Sequence, residues 1–174
     1  MAKGNGQAGG WSVEAVSSNV HIIRFEGIRD GWKQYMMLSG DRHHDNAHTN
    51  QSLEREQLER ARERDAPILD VGDLACAMQG KYDPRKDYDH LRPEYTGNNY
   101  LDRLVDVAEN FYAPYADQFG VMGYGNHEKS ILKHHETDLV ARLARRLKQH
   151  SSRDDRAFVG GYSGWVFLRF HIQK

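Results

Sequence analysis

The sequence predicts an α/β domain, and three observations predict it. From residue 32 to 150, short apolar runs alternate with amphipathic segments in the order strand, helix, strand, helix, strand, helix. That is the order of parallel strands joined by crossover helices. Three of the apolar runs end alike, in "LSGD", "DVGD" and "GYGN". Finally, 174 residues, 39% hydrophobic and 28% charged, are enough for one real core in a folded chain.

The elements follow in chain order. "MAKGNGQAGG" is glycine-rich with no hydrophobic stretch behind it, so a flexible arm is expected over residues 1–18, before a domain at 19–174. "NVHIIRFEGI" predicts a strand closed by a turn, and "WKQYMMLSGD" a second apolar run ending at Gly40 and Asp41. "NQSLEREQLERARERDA" has helical composition, with Leu53 and Leu58 on a thin apolar stripe. "PILDVGD" is a short strand. "GKYDPRKDYDHLRPEYTGNN" is polar and turn-rich, a long loop of the kind that usually has a job. "NYLDRLVDVAENFYAPYAD" carries Leu101, Leu104, Val105, Ala108 and Phe111 at helical spacing. "QFGVMGYGN" is a strand and "ILKHHETDLVARLARRLKQH" one further amphipathic helix. "AFVGGY" and "GWVFLRFHI" are expected to close the chain as a strand pair.

Composition narrows the function classes. The formal charge of −1 removes a whole-chain basic footprint for nucleic acid, leaving local patches. Cys76 is the only cysteine, so no internal disulfide can form, which suits a reducing compartment. No apolar run reaches the ~18 residues of a membrane span. A cytoplasmic protein without membrane contact is the expectation.

In an open parallel sheet, sites lie beyond the carboxyl ends of the strands. Glycine before each terminal Asp or Asn lets the backbone turn sharply and approach a ligand. Asp41, Asp73 and Asn126 should therefore converge. "DRHHD" adds His43, and in an extended segment Asp41 and His43 point to one side. Two carboxylates, an imidazole and an amide oxygen suit Mn²⁺, Fe or Zn²⁺ better than a thiolate-seeking metal. Asp73 could bridge two ions about 3.5–4 Å apart. In "GYGNHE", His127 would face the substrate, while Glu128 would either orient that imidazole or cap the helix that follows.

The ordered set Asp41-x-His43, Gly72-Asp73 and Gly125-Asn126-His127-Glu128 resembles the calcineurin-like metallophosphoesterase superfamily. The match spans about residues 35 to 130 and carries that family's first three motifs. "AMQGKYD", the "RPEY" loop and "GYGNHE" further resemble a branch of phosphoesterases met in phage and prophage genomes. The resemblance implies two facing β-sheets flanked by helices, and two divalent ions, Mn²⁺ first with Fe, Zn²⁺ or Ni²⁺ as alternatives. It implies that Asp41, His43 and Asp73 hold one ion and Asp73 and Asn126 the other. A hydroxide bridging them would attack phosphorus, and His127 would stabilise the transition state or protonate the leaving oxygen.

The sequence departs from that pattern twice. The family's second motif often reads G-D-x-x-D, its second aspartate supporting the catalytic histidine; here that place is Cys76. Either Glu128 or Asp45 substitutes, or His127 is less firmly oriented. The family's later "GH" and "GHxH" ligands also have no counterpart before Lys174. The chain is thus expected to hold the N-terminal half to two-thirds of the fold, with a complementing C-terminal fragment or a homo-oligomer as possible partner. An impaired metal-binding or structural protein is the rival class.

Of the remaining histidines, His48 in "DNAHTN" could fold back over the site. His44 should point opposite to His43, and His134 and His135 should cover a helix surface. Substrate choice would lie in the loop at 81–98, where Lys81, Arg85 and Arg92 suit phosphates and Tyr82, Tyr88 and Tyr95 could stack on bases. Its four acids oppose a simple DNA groove. The basic run "ARLARRLKQHSSRDDR" is a wet helix face or a nucleic-acid contact. The expected substrate is a phosphoester, with nucleotides and nucleic acid among the candidates.

Overall fold

In the computed structural model, residues 10–78, 86 and 88–173 are described, and they form two sheets and four α-helices. The strands are β1 (Trp11–Ser17), β2 (Val20–Ile28), β3 (Met37–Ser39), β4 (Ile68–Asp70), β5 (Phe119–Met122), β6 (Phe158–Val159) and β7 (Trp165–Ile172). The helices are α1 (Gln51–Glu63), α2 (Tyr100–Tyr112), α3 (Asn126–His135) and α4 (Leu139–His150). The chain is mixed α/β, as the alternation predicts.

One sheet runs in the order β3-β4-β5-β6, every pair parallel. Its central strands β4 and β5 are largely buried because both faces are covered there, while Leu38 on the edge strand β3 is exposed. Ile68, Phe119 and Met122 pack on one face against Leu58 and Ala61 of α1, Ala108 and Phe111 of α2, and Leu143 and Leu147 of α4. Val121 and Leu69 face the other way, onto Trp11, Val13, Ile23 and Phe25 of the second sheet. That second sheet has the order β1-β2-β7, with β1 antiparallel and β7 parallel to β2. Two sheets and a helical layer thus share two apolar seams.

Four expectations need correction. Residues 11–17 belong to β1 rather than to an arm reaching residue 18; Trp11 and Val13 are buried because they face the seam between the sheets. β6 and β7 do not pair with each other: β6 joins β5 and β7 joins β2. The basic helix is two helices, broken where Glu136 turns left-handed and the Asp138 side chain accepts the Ala141 N–H at 2.8 Å to start α4. On α1, Leu58 is fully buried but Leu53 is 47% exposed, and Glu54 takes the inward place instead. Among the described residues no helix is long and apolar enough to cross a membrane.

Candidate active site

The parallel sheet delivers three loops to one edge, after Ser39, Asp70 and Met122. Main-chain bonds then lace them together. Asp41 N–H donates to Gly72 O at 2.9 Å, His43 N–H to Asp73 O at 3.1 Å, and His44 N–H to Leu74 O at 2.8 Å. The third loop joins through its helix start, where His127 N–H donates to Asp73 Oδ1 at 2.9 Å. Segments more than 50 residues apart meet around one carboxylate.

Asp41 and His43 do share a side, but not through extended backbone. Both are left-handed, with φ 56° and 43°, and Asp73 is too, at φ 52°. Such conformations cost non-glycine residues about 1–3 kcal/mol each and persist where surrounding structure over-determines them. Here the interloop bonds do so. His43 Nε2 ends 2.8 Å from Asp41 Oδ1. The His43 and His127 rings stand edge to face, centroids 4.8 Å apart.

The glycines are required by approach. Gly72 has φ +103°, and a Cβ there would collide with the Gly125 backbone. A Cβ on Gly125 would strike the Asp73 carboxylate. Only the bare backbone admits the three loops to each other.

Glu128 and Asp45 do not touch the His127 ring. The Glu128 carboxylate accepts the N–H groups of Asp73 (3.0 Å), Ala75 (3.2 Å) and Gly125 (2.9 Å). Burial raises its pKa above the ordinary carboxylate value, against the pull of those N–H groups. Of its two expected duties it performs the cap, together with a bracing of the Asp73 loop. Asp45 is buried and accepts from Cys76 N–H (2.6 Å), Ala77 N–H (3.3 Å) and the Tyr100 hydroxyl (2.5 Å). Both acids are positioning residues because burial commits their oxygens to main-chain donors.

What supports His127 is the carbonyl of Cys76, 2.6 Å from Nδ1. A backbone oxygen leaves no sequence signature, so motif reading could not find it. The Cys76 thiol lies 3.2 Å from His43 Nδ1, and burial, with Asp45 nearby, pushes its pKa up to about 12. It is a poor nucleophile there.

Beneath the site lies a polar network the sequence did not announce. Arg42 Nη1 is 2.9 Å from Glu54 Oε1, and Arg42 Nε is 3.0 Å from Asp70 Oδ2. His44 Nδ1 meets Glu54 Oε2 at 2.9 Å, the Tyr112 hydroxyl donates to Glu54, and the Ser39 hydroxyl donates to Asp70 at 2.7 Å. Burial pushes Glu54 up, but His44, Arg42 and Tyr112 outweigh it and hold it below the usual range. His44 points away from His43, as expected.

An open cavity of about 790 Å³ adjoins the loops, lined by Asp41, His43, His48 and His127 among others. Asp73 and Asn126 are outside its lining. Asn126 is exposed at the start of α3. Among the described residues, no three His, Cys, Asp or Glu side chains are gathered in a group that could hold a metal ion. The donors nearest to that role are Asp41 and His43, turned onto each other.

The expected substrate loop behaves differently from a free phosphate binder. Arg92 donates to the carbonyls of Asn46 (2.9 Å) and Thr49, tying the loop to the segment carrying His48. Its guanidinium is held by backbone rather than offered to substrate. Tyr95 is buried in the core instead of presenting a stacking face. Lys81 and Arg85, with Tyr82, lie outside the described residues. On α4, Arg142 pairs with Asp102, and Arg146 with Asp106 and Glu109. These acids of α2 offset the basic face.

No family model, no curated protein and no solved structure matches the chain.

Proposed function

We propose that the chain is a metal-dependent phosphoester hydrolase of the calcineurin-like type, its β-sandwich carrying the site at one sheet edge. One observation carries the reading: three loops far apart in sequence are stitched at one point, with Asp73 bonded to the His127 N–H while its own carbonyl accepts from His43. Turn aspartates placed by chance need not share partners.

The donors fit a divalent cation chemically. Asp41 and Asp73 offer carboxylate oxygen, Asn126 an amide oxygen and His43 one imidazole nitrogen, a set suited to Mn²⁺, Fe, Zn²⁺ or Ni²⁺. Gly125 lets its backbone lie against the Asp73 carboxylate, whose Oδ1 accepts the His127 N–H. Asp41, His43, Asp73 and Asn126 would hold the ions, two in the full form of the site. When bound, these would supply positive charge for the phosphoryl oxygens and make water a better nucleophile.

The protein's own groups do the rest. Cys76 O accepts from Nδ1 of His127, so that ring exchanges its proton at Nε2. Protonated, it donates to an oxygen of the ester or to the departing alkoxide. Glu128 and Asp45 hold the 73–77 loop so that Asp73 and the Cys76 carbonyl keep their places.

A second reading has the chain supply part of a site that a partner completes. The exposed β7 favours it: Trp165, Phe167 and Phe170 are each at least half exposed on a strand that, among the described residues, forms the edge of its sheet. A homo-oligomer or a complementing fragment could pair there.

The test is hydrolysis of bis-p-nitrophenyl phosphate with Mn²⁺, with chelator and with Asp73→Asn. Turnover that needs metal and disappears in Asp73→Asn is expected. Turnover that ignores both would overturn the proposal. Activity restored only by adding a second polypeptide would favour the partner reading.

A further inference from the structure

We infer that the cavity selects phosphodiesters carrying an apolar, aryl-sized ester group, over polyphosphates and small alkyl esters. The inference rests on the phosphoester reading above and names its substrate class.

Two features of the cavity lead there. The first is its apolar lining. Leu38 of β3 is 74% exposed and Leu53 of α1 is 47% exposed, and both line this same cavity with Met37 and Met78. Leucines that could have faced a core instead stand open to water in the cavity that Asp41 and His43 also line. A ligand group laid across them gains the burial the fold does not supply. A space of about 790 Å³ is ample for such a group.

The second feature is charge. Arg42 is the only Lys or Arg among the described residues lining the cavity, and it is committed to Glu54, Asp70 and the Ser39 hydroxyl. Asp41 adds a carboxylate that is 84% exposed. Among the described residues the cavity wall offers no uncommitted Lys or Arg to a chain of phosphates, so the bound ions alone would have to meet its charge. The wall tolerates one negative charge, placed near His43, His48 and His127, with an uncharged remainder on the leucines. Leu53 is free for this because Glu54 takes its inward place.

Calorimetry on the full chain with Mn²⁺, using diphenyl phosphate, dimethyl phosphate and inorganic triphosphate as probes, tests the inference. Diphenyl phosphate should bind at least about tenfold more tightly than either other probe. In Leu38→Ser/Leu53→Ser that preference over dimethyl phosphate should fall below about threefold. Both sites are already solvent-exposed, so the variant should fold, and circular dichroism checks that it does. Equal affinities, tighter triphosphate binding, a preference untouched by the double variant, or no detectable binding of any probe would overturn the inference. Failure of the hydrolase reading looks different: the binding preference persists while no phosphoester is turned over.

Discussion

His127 Nδ1 lies 2.6 Å from the carbonyl oxygen of Cys76, a main-chain group of the residue that stands at the expected aspartate position. A carbonyl can only accept, so the ring is locked in one tautomer with Nε2 free to exchange a proton. His127→Ala should therefore lower kcat on bis-p-nitrophenyl phosphate by about 10²–10⁴ with little change in KM. Cys76→Ala keeps the carbonyl and should lose less than about tenfold. Equal losses in the two variants would show that the thiol, not the backbone, orients the ring.

Glu128 gathers three main-chain donors. Glu128→Ala strands the N–H groups of Asp73, Ala75 and Gly125, each costing about 1–3 kcal/mol where water cannot reach. Urea unfolding should show a loss of at least about 2 kcal/mol, and Glu128→Gln, which keeps an acceptor oxygen, a smaller one. Mn²⁺ affinity should fall in both, because the Asp73 loop loses its brace.

Glu54 makes stability depend on pH with a definite sign. Its folded pKa is depressed by His44, Arg42 and Tyr112 in spite of burial. Its carboxylate therefore contributes stability that is fully present above the unfolded value of about 4.3 and is lost as pH falls through the lower folded value. Thermal melts of the native chain should weaken as pH falls below about 4.3. Glu54→Gln should cost about 3–5 kcal/mol at neutral pH by leaving Arg42 short of a partner. The acid dependence should be shallower in that variant.

Gly72 admits no side chain. With φ +103° and the Gly125 backbone in the way, Gly72→Ala must push the second and third loops apart. Expected results are a loss of about 2 kcal/mol or more and weakened Mn²⁺ binding by calorimetry. Gly10→Ala, where nothing lies within 4 Å of the added Cβ, should be silent in both measurements.

Although Asp73 and Asn126 lie outside the cavity that Asp41 lines, against the expected convergence of the three, the sequence by itself determined the alternation of strand and helix, the parallel pairing of β3, β4 and β5, and the glycine-marked ends of those strands. Those features are legible because apolar periodicity and the conformational freedom of glycine are local properties. Only the tertiary structure decided that Glu54 rather than Leu53 turns inward, that Glu128 and Asp45 brace loops, that Cys76 lends its carbonyl, and that β6 and β7 part company. Each of those outcomes depends on which donors a buried acceptor meets across the fold. An inward carboxylate is stable only where Arg42, His44 and Tyr112 arrive to meet it, and no window of sequence around residue 54 contains all three.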